Sequence, residues 1–420
     1  MEVKTMSGIR PMEALQYSGK TVLLRVDINS PIDPVTKKIV NENRIKKSIP
    51  TIKYILDQGA KLAIIAHQGD TLDYQNLIPM REHAEKLSGL LGINVKYIDD
   101  VCGPAAQEAV KSLQPGEAIL LGNLRYLTEE ISTFEDAVKL KPEEMLDTYL
   151  VRSLAPLMDC YVNDAFAAAH RNCPSMVAFQ EILPTAGGKL MMDEIEALTK
   201  VMEMPEKPSV FVLGGAKISD AFGMMKQVLQ NGTADKILAC GITGEIMLMA
   251  KGISIGAKKE KFIKDRSLDV FIAPAKEYLT DYPGKIVVPL DLAYEKDGKR
   301  EEIDVDKLPA EEMFMDIGTK TIELFRMVLD SAGTIFVNGP AGVYENKLFE
   351  NGTKEIWNAI ANAKGYSVIG GGDTVSAASR FIDLKKINYV CTAGGAMVRF
   401  LSGKKLPLIE AMKKAAKKPE

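Results

Sequence analysis

Short runs rich in Val, Ile and Leu alternate along the chain with longer segments of helical period, and this alternation constrains the fold more than any other feature. A strand that is apolar throughout must be covered on both faces, as happens in parallel sheets flanked by helices. The expected class is therefore α/β. Candidate strands are residues 21–26, 61–66, 94–98, 118–121 and 160–163 in the first half. In the second half they are 209–213, 236–239, 285–288, 334–337, 366–369 and 388–391.

A chain of 420 residues exceeds the roughly 250 to 300 at which a single core stops growing, so two domains are expected. The best boundary is residues 183–188, which hold Pro184, Gly187 and Gly188; a helical segment follows to residue 204, and then Pro205 and Pro208. Within that segment Met191, Ile195, Leu198 and Met202 share one helical face. The reading is a hinge helix, 185–204, between domains 1–184 and 205–403; a surface helix with ordinary loops is the competing reading.

A formal charge of -3, from 53 Lys and Arg against 56 Asp and Glu, leaves no basic excess for nucleic acid. Residues 1–11 are polar, and no apolar stretch approaches the roughly 18 residues of a membrane span, so a cytoplasmic protein without a membrane partner is expected. Five widely spaced cysteines without a C-x-x-C pair suggest neither a disulfide framework nor a zinc site.

The runs end in polar clusters whose chemistry changes halfway along. Early clusters are cationic and hydrogen-bonding: Arg25, Asp27 and Asn29, His67 and Gln68, Asn123 and Arg125, Asn163 and Asp164, then His170 and Arg171. Late clusters are glycine-rich: Gly214 to Lys217, Cys240 to Gly244, Asn338 to Pro340, and Gly370 to Thr374. Open parallel sheets bind ligands outside the carboxyl ends of their strands. One half thus suits a small, strongly anionic molecule and the other a nucleotide held by backbone amides.

In the late half, a strand runs through Gly370, Gly371 and Gly372 into a helix with Val375, Ala378, Phe381 and Ile382 on its inner face. Glycines let the backbone approach phosphate oxygens, and a helix start favours anions. Asp373 either caps that helix, ligates magnesium, or does both; a capped turn without a ligand is the competing reading. Lys217 is expected in the first turn of the helix carrying Ile218, Phe222, Met225 and Leu229, where a cation opposes the helix dipole unless it meets a phosphate. A solvated lysine competes with that reading. Neither a P-loop nor a strand-following G-x-G-x-x-G occurs.

In the early half, Arg44, Arg125 and Arg171 are candidates to clamp carboxylate or phosphate through planar hydrogen bonds. Each alone reads better as a surface arginine, and it is their recurrence at one edge that shifts the balance to the clamp. His67 and His170 are read as hydrogen-bonding groups, not as catalysts.

These motifs, with Ser30-Pro31 after Asn29, Tyr126 after Arg125, and Gly342-Val343-Tyr344-Glu345, resemble the phosphoglycerate kinase family, and within it the archaeal branch, in order from about Arg25 to Pro407. The resemblance implies two Rossmann-like domains, the first for 3-phosphoglycerate and 1,3-bisphosphoglycerate, the second for ATP or ADP, closing on each other. It implies substrate contacts at Asp27, Asn29, Arg44, His67, Arg125 and Arg171. Nucleotide contacts would be Lys217, Asn338, Glu345, Gly371, Gly372, Asp373 and Thr374, with Asp373 the Mg2+ ligand. Catalysis would fall to Arg44, Lys217, Gly371 and Gly372. Residues 404–420 would return to the first domain, in a monomer or homodimer.

Two positions depart from the family pattern. Asp70 stands where an arginine is usual, and Ala221 where many members have a second lysine. The reaction implied is reversible phosphoryl transfer to a carboxylate, which is ionised at neutral pH and needs no general base. Two rival readings are a hinged ligand-binding protein without catalysis, for which Asp70 and Ala221 speak, and a different acyl-phosphate kinase acting on acetate or carbamate.

Overall fold

A computed structural model of the chain describes residues 7–69 and 77–418. The chain forms two compact units: one runs to Glu196 and resumes at Lys405, the other is Ala197–Lys404. Asp70 lies outside the described residues.

The first unit is built on a six-stranded sheet of β1 (Thr21–Arg25), β2 (Lys61–Ile65), β3 (Val95–Tyr97), β4 (Ala118–Leu120), β5 (Cys160–Asn163) and β6 (Thr185–Gly187). The order is β3-β4-β2-β1-β5-β6 and every pairing is parallel. Val22, Leu23 and Leu24 in β1 are fully buried, as a strand covered on both faces requires. Winding departs from β1 in both directions, toward β2 and toward β5, so the loops after β1 and β5 flank a crevice at the carboxyl edge.

The segment 183–188, read above as a breaker, contains the edge strand β6, paired through Tyr161↔Thr185 and Asn163↔Gly187. An edge strand pairs through its backbone, so Thr-Ala-Gly suffices without an apolar run. The helix Lys189–Glu203 follows, with Asp164 Oδ1 accepting from the Met191 amide at 3.0 Å near its start. Met191, Ile195 and Leu198 are buried and Met202 is half-buried. The division between units falls within this helix, after Glu196.

The helix Pro407–Ala415 belongs to the first unit. The Leu408 amide donates to the Ala169 carbonyl at 3.2 Å, and Lys414 and Lys418 pair with Glu181 at 2.9 and 3.1 Å.

The second unit holds a parallel sheet of β7 (Ser209–Leu213), β8 (Lys236–Ala239), β9 (Ile286–Val287), β13 (Thr334–Asn338), β14 (Tyr366–Ile369) and β15 (Tyr389–Val390), in the order β15-β14-β13-β7-β8-β9. This is doubly wound topology, and the winding reverses between β7 and β13. Between β9 and β13 the chain adds an antiparallel sheet, unanticipated from sequence, of β10 (Asp291–Lys296), β11 (Lys299–Asp304) and β12 (Asp316–Ile317). β10 and β11 join through Asp297 and Gly298, both at positive φ (50° and 75°), the two-residue turn that matches strand twist.

The five cysteines are free and buried. Among the described residues no helix is long and apolar enough to cross a membrane.

Candidate active site

In the first unit the loops after β1, β2, β4 and β5 assemble at the crevice. Asn29 Oδ1 accepts from the Gly69 amide at 3.0 Å, and Asn123 exchanges bonds with the Gln68 backbone at 3.1 and 2.9 Å. These amide side chains stitch the strand ends together and fix where the charged groups stand. Arg44, in the first turn of the helix Asn43–Asp57, pairs with buried Asp27 at 2.6 Å. Arg171 pairs with Glu135, also at 2.6 Å. Arg125 donates to the Glu130 and Gly69 carbonyls at 2.6 and 3.4 Å.

His67 lies where the fields of these groups meet. Burial, then Arg25, Arg125, Arg171 and Arg44, all push its pKa down, well below the usual histidine range. Arg25 meets this imidazole directly at 2.8 Å, and cationic groups gathered at one sheet edge favour an anion there. Burial and the neighbouring Arg171 and Arg25 push Arg125 itself down to about 10. His170 is half-buried.

Sequence reasoning placed Arg25 in the first strand-end cluster without giving it a role and missed Glu130; the two are 2% and 1% exposed. Arg25 Nη2 bonds His67 Nδ1 at 2.8 Å and its Nε donates to Ser175 Oγ at 3.3 Å. Its signal was present: an arginine inside the apolar run 21–26 needs a buried partner.

In the second unit a cavity of about 590 Å³, within the range of small-ligand sites, opens at the winding reversal. Lys217, Asn338, Glu345, Gly371, Gly372, Asp373 and Thr374 all line it, together with the apolar Ile242, Phe262, Leu292, Phe314 and Val398. At the reversal the loops after β7 and β13 touch, the Gly214 amide donating to the Asn338 carbonyl at 3.0 Å and the Gly215 amide to that of Pro340 at 2.8 Å. Gly339 has φ 91°, and a Cβ there would lie 2.2 Å from the Gly214 oxygen, so only glycine closes this contact.

Several cavity residues differ in detail from expectation. Lys217 immediately precedes the helix Ile218–Gln230, one position earlier than its first turn. Asp373 caps nothing: the helix Gly372–Phe381 follows Gly371, at φ 95°, without a side-chain cap, and Asp373 is exposed in the first turn. Lys217 Nζ lies 3.5 Å from Asp373 Oδ2, both side chains 73% exposed. Thr374 is buried, its Oγ1 accepting from the Gly339 amide at 2.8 Å, and Asn338 Nδ2 donates to the Gly370 carbonyl at 3.0 Å. These two side chains brace the loops, leaving the Lys217 ammonium, the Asp373 carboxylate and the helix start beside the cavity. Ala221 is fully buried in its helix.

The phosphoglycerate kinase family model matches residues 12–404. Curated phosphoglycerate kinases of Methanothermus fervidus and Methanococcus maripaludis are 41% and 43% identical to this chain, over 97% of it and 98% of each relative. The crystal structure of phosphoglycerate kinase from Pyrococcus horikoshii OT3 superposes with a TM-score of 0.84 at 37% identity, covering 97% of this chain and 99% of that one. A structure of the Coxiella burnetii phosphoglycerate kinase gives 0.83 at 31% identity. With its two parallel sheets, arginine-lined crevice and glycine-lined cavity, the chain belongs to the phosphoglycerate kinase family.

Proposed function

We propose that the arginine crevice of the first unit binds 3-phosphoglycerate or 1,3-bisphosphoglycerate, that the cavity of the second binds ATP or ADP, and that phosphoryl transfer is direct and in line, in the cytoplasm. The observation that carries this reading is the gathering of guanidiniums at the strand ends, Arg125 and Arg171 sharing the Glu130 carbonyl at 2.6 and 3.4 Å and Arg25 meeting His67 at 2.8 Å, cationic groups suited to a small polyanion.

Arg125 and Arg171 hold the substrate's anionic groups, with Asn29 and Asp27 fixing the loops that present them. Arg44 neutralises charge developing on the transferring group. His67, kept neutral, offers a hydrogen bond and adds no charge of its own. On the nucleotide side the Gly371 and Gly372 amides and Lys217 stabilise the phosphoryl oxygens, and Glu345 and Asn338 border the nucleotide. The acceptor carboxylate attacks as it stands, so no residue takes a proton from it. The helix Lys189–Glu203 serves as the hinge about which the reactants are brought to the ~3 to 3.5 Å that in-line attack requires.

The residues present fit Mg2+. Asp373 is an exposed carboxylate not used for capping, next to a helix start, and among the described residues no cluster of three or more potential ligands exists. Mg2+ is commonly held by one or two carboxylates with phosphate oxygens and water, so Asp373 would hold it with the nucleotide. When bound it supplies charge neutralisation between the outer phosphates.

A coupled assay of ATP formation from ADP and 1,3-bisphosphoglycerate tests the reading, with acetate and carbamate as competing acceptors in the reverse direction. Phosphorylation of acetate in preference to 3-phosphoglycerate would sink the substrate assignment.

A further inference from the structure

We infer that Glu130 is a positioning residue of the anion crevice, holding Arg125 and Arg171 in register for the phosphate or carboxylate they receive; this rests on the reading of the crevice given above. Glu130 acts from both ends. Its carbonyl accepts from Arg125 Nη1 at 2.6 Å and from Arg171 Nη2 at 3.4 Å, so two guanidiniums share one oxygen. Its carboxylate points into the interior, where Oε1 accepts from the Ser175 amide at 2.7 Å and Oε2 from Ser175 Oγ at 2.6 Å and Cys173 Sγ at 3.5 Å.

This arrangement answers an electrostatic problem. Like charges so close repel, and a side chain as long as arginine holds a fixed orientation only against fixed acceptors. Arg44 and Arg171 each have a carboxylate partner, whereas Arg125 has none among the described residues, so its direction depends on the carbonyls of Glu130 and Gly69. The Glu130 carbonyl stays in place because its carboxylate is anchored twice to Ser175. Ser175 Oγ also receives Arg25 Nε, and Arg25 in turn bonds His67. A continuous hydrogen-bonded chain thus runs from Glu130 to the centre of the crevice. Burying a carboxylate is unfavourable, and a residue whose only task was to pack would be apolar.

The test measures initial rates of the full-length enzyme, varying 3-phosphoglycerate at saturating MgATP and then the converse. Glu130→Ala is expected to raise the KM for 3-phosphoglycerate ~10- to 100-fold, the scale of losses from misplaced binding groups. The KM for ATP and kcat should stay within about twofold, the signature of lost uniform binding to one substrate. Glu130→Gln, which keeps the shape and one acceptor, should recover most of the loss, and Ser175→Ala should move the 3-phosphoglycerate KM in the same direction as Glu130→Ala. Equal movement of both KM values, an unchanged 3-phosphoglycerate KM in a folded variant, or failure of both alanine variants to fold makes Glu130 a stability element and overturns the inference. Arg125→Ala run in parallel separates the two readings: if it leaves the 3-phosphoglycerate KM unchanged, the assignment of the crevice itself fails.

Discussion

Replacing Gly372 by alanine separates ligand contact from fold in the cavity proposed for the nucleotide. Gly372 is the first residue of its helix, has no positive φ, and a Cβ there meets no atom within 4 Å. In the free protein the added methyl is therefore unstrained and restricts the unfolded chain, which stabilises by about 0.4 to 1 kcal/mol. For a domain of this size that corresponds to a rise in Tm of roughly 1 to 4 °C. On the proposed amide cradle, the same methyl would stand where a phosphate approaches the backbone amide. Loss of one hydrogen bond to a charged group, roughly 1.5 to 3 kcal/mol, raises the KM for ATP about 10- to 150-fold. Stability and nucleotide affinity should thus move in opposite directions, read by calorimetry without ligand and by coupled kinetics. The neighbouring Gly371→Ala, at φ 95°, should lose both. If Gly372→Ala gains stability and keeps the wild-type KM for ATP, the amide does not face the phosphates and the amide-cradle reading fails.

Three other changes probe different parts of the molecule. Lys217→Ala or Arg44→Ala should raise the barrier by about 4 to 7 kcal/mol, by analogy with other cations that meet a transferring phosphoryl group; more than a tenth of wild-type kcat in either variant removes that residue from the mechanism. Burial pushes the Asp164 carboxyl up to about 7 in the folded protein, so the folded state binds more protons than the unfolded one above pH 3.8 and stability falls as pH rises toward 7. Asp164→Asn retains an acceptor for the Met191 amide and should remove this loss, so its stability relative to wild type should grow by at most about 4 kcal/mol between pH 4 and 7 and then level off. A constant difference between the two unfolding curves across that range would show that Asp164 does not titrate there.

What could be read in advance depended on how each element is stabilised. Strands such as Ser209–Leu213 and Thr334–Asn338 are buried on both faces, and their apolar runs and glycine-rich ends were plain in the sequence. β6 was hidden because Thr185, Ala186 and Gly187 carry no strand pattern and are held through their backbone, by β5 and by a bridge from Gly187 to Pro11. The hairpin Asp291–Asp304 was hidden because β11 is largely polar, although the Asp297-Gly298 turn was there to be noticed. In the site, residues near strand ends could be anticipated one by one, but their division of labour could not. That Thr374 braces Gly339, that Asn29 binds the Gly69 amide, and that the Glu130 carbonyl also accepts from Arg171 are facts of three-dimensional proximity between distant segments.

The assignment of residues 405–418 to the first unit also governs the order in which the polypeptide can mature. A ribosome that has just emitted Lys404 has released every strand of the second sheet, yet the Ala169 carbonyl and the Glu181 carboxylate still await Leu408, Lys414 and Lys418. The half synthesised first thus needs residues made after the whole of the second unit, and vectorial synthesis, which ordinarily lets amino-terminal domains mature early, leaves this one open until those residues have been added.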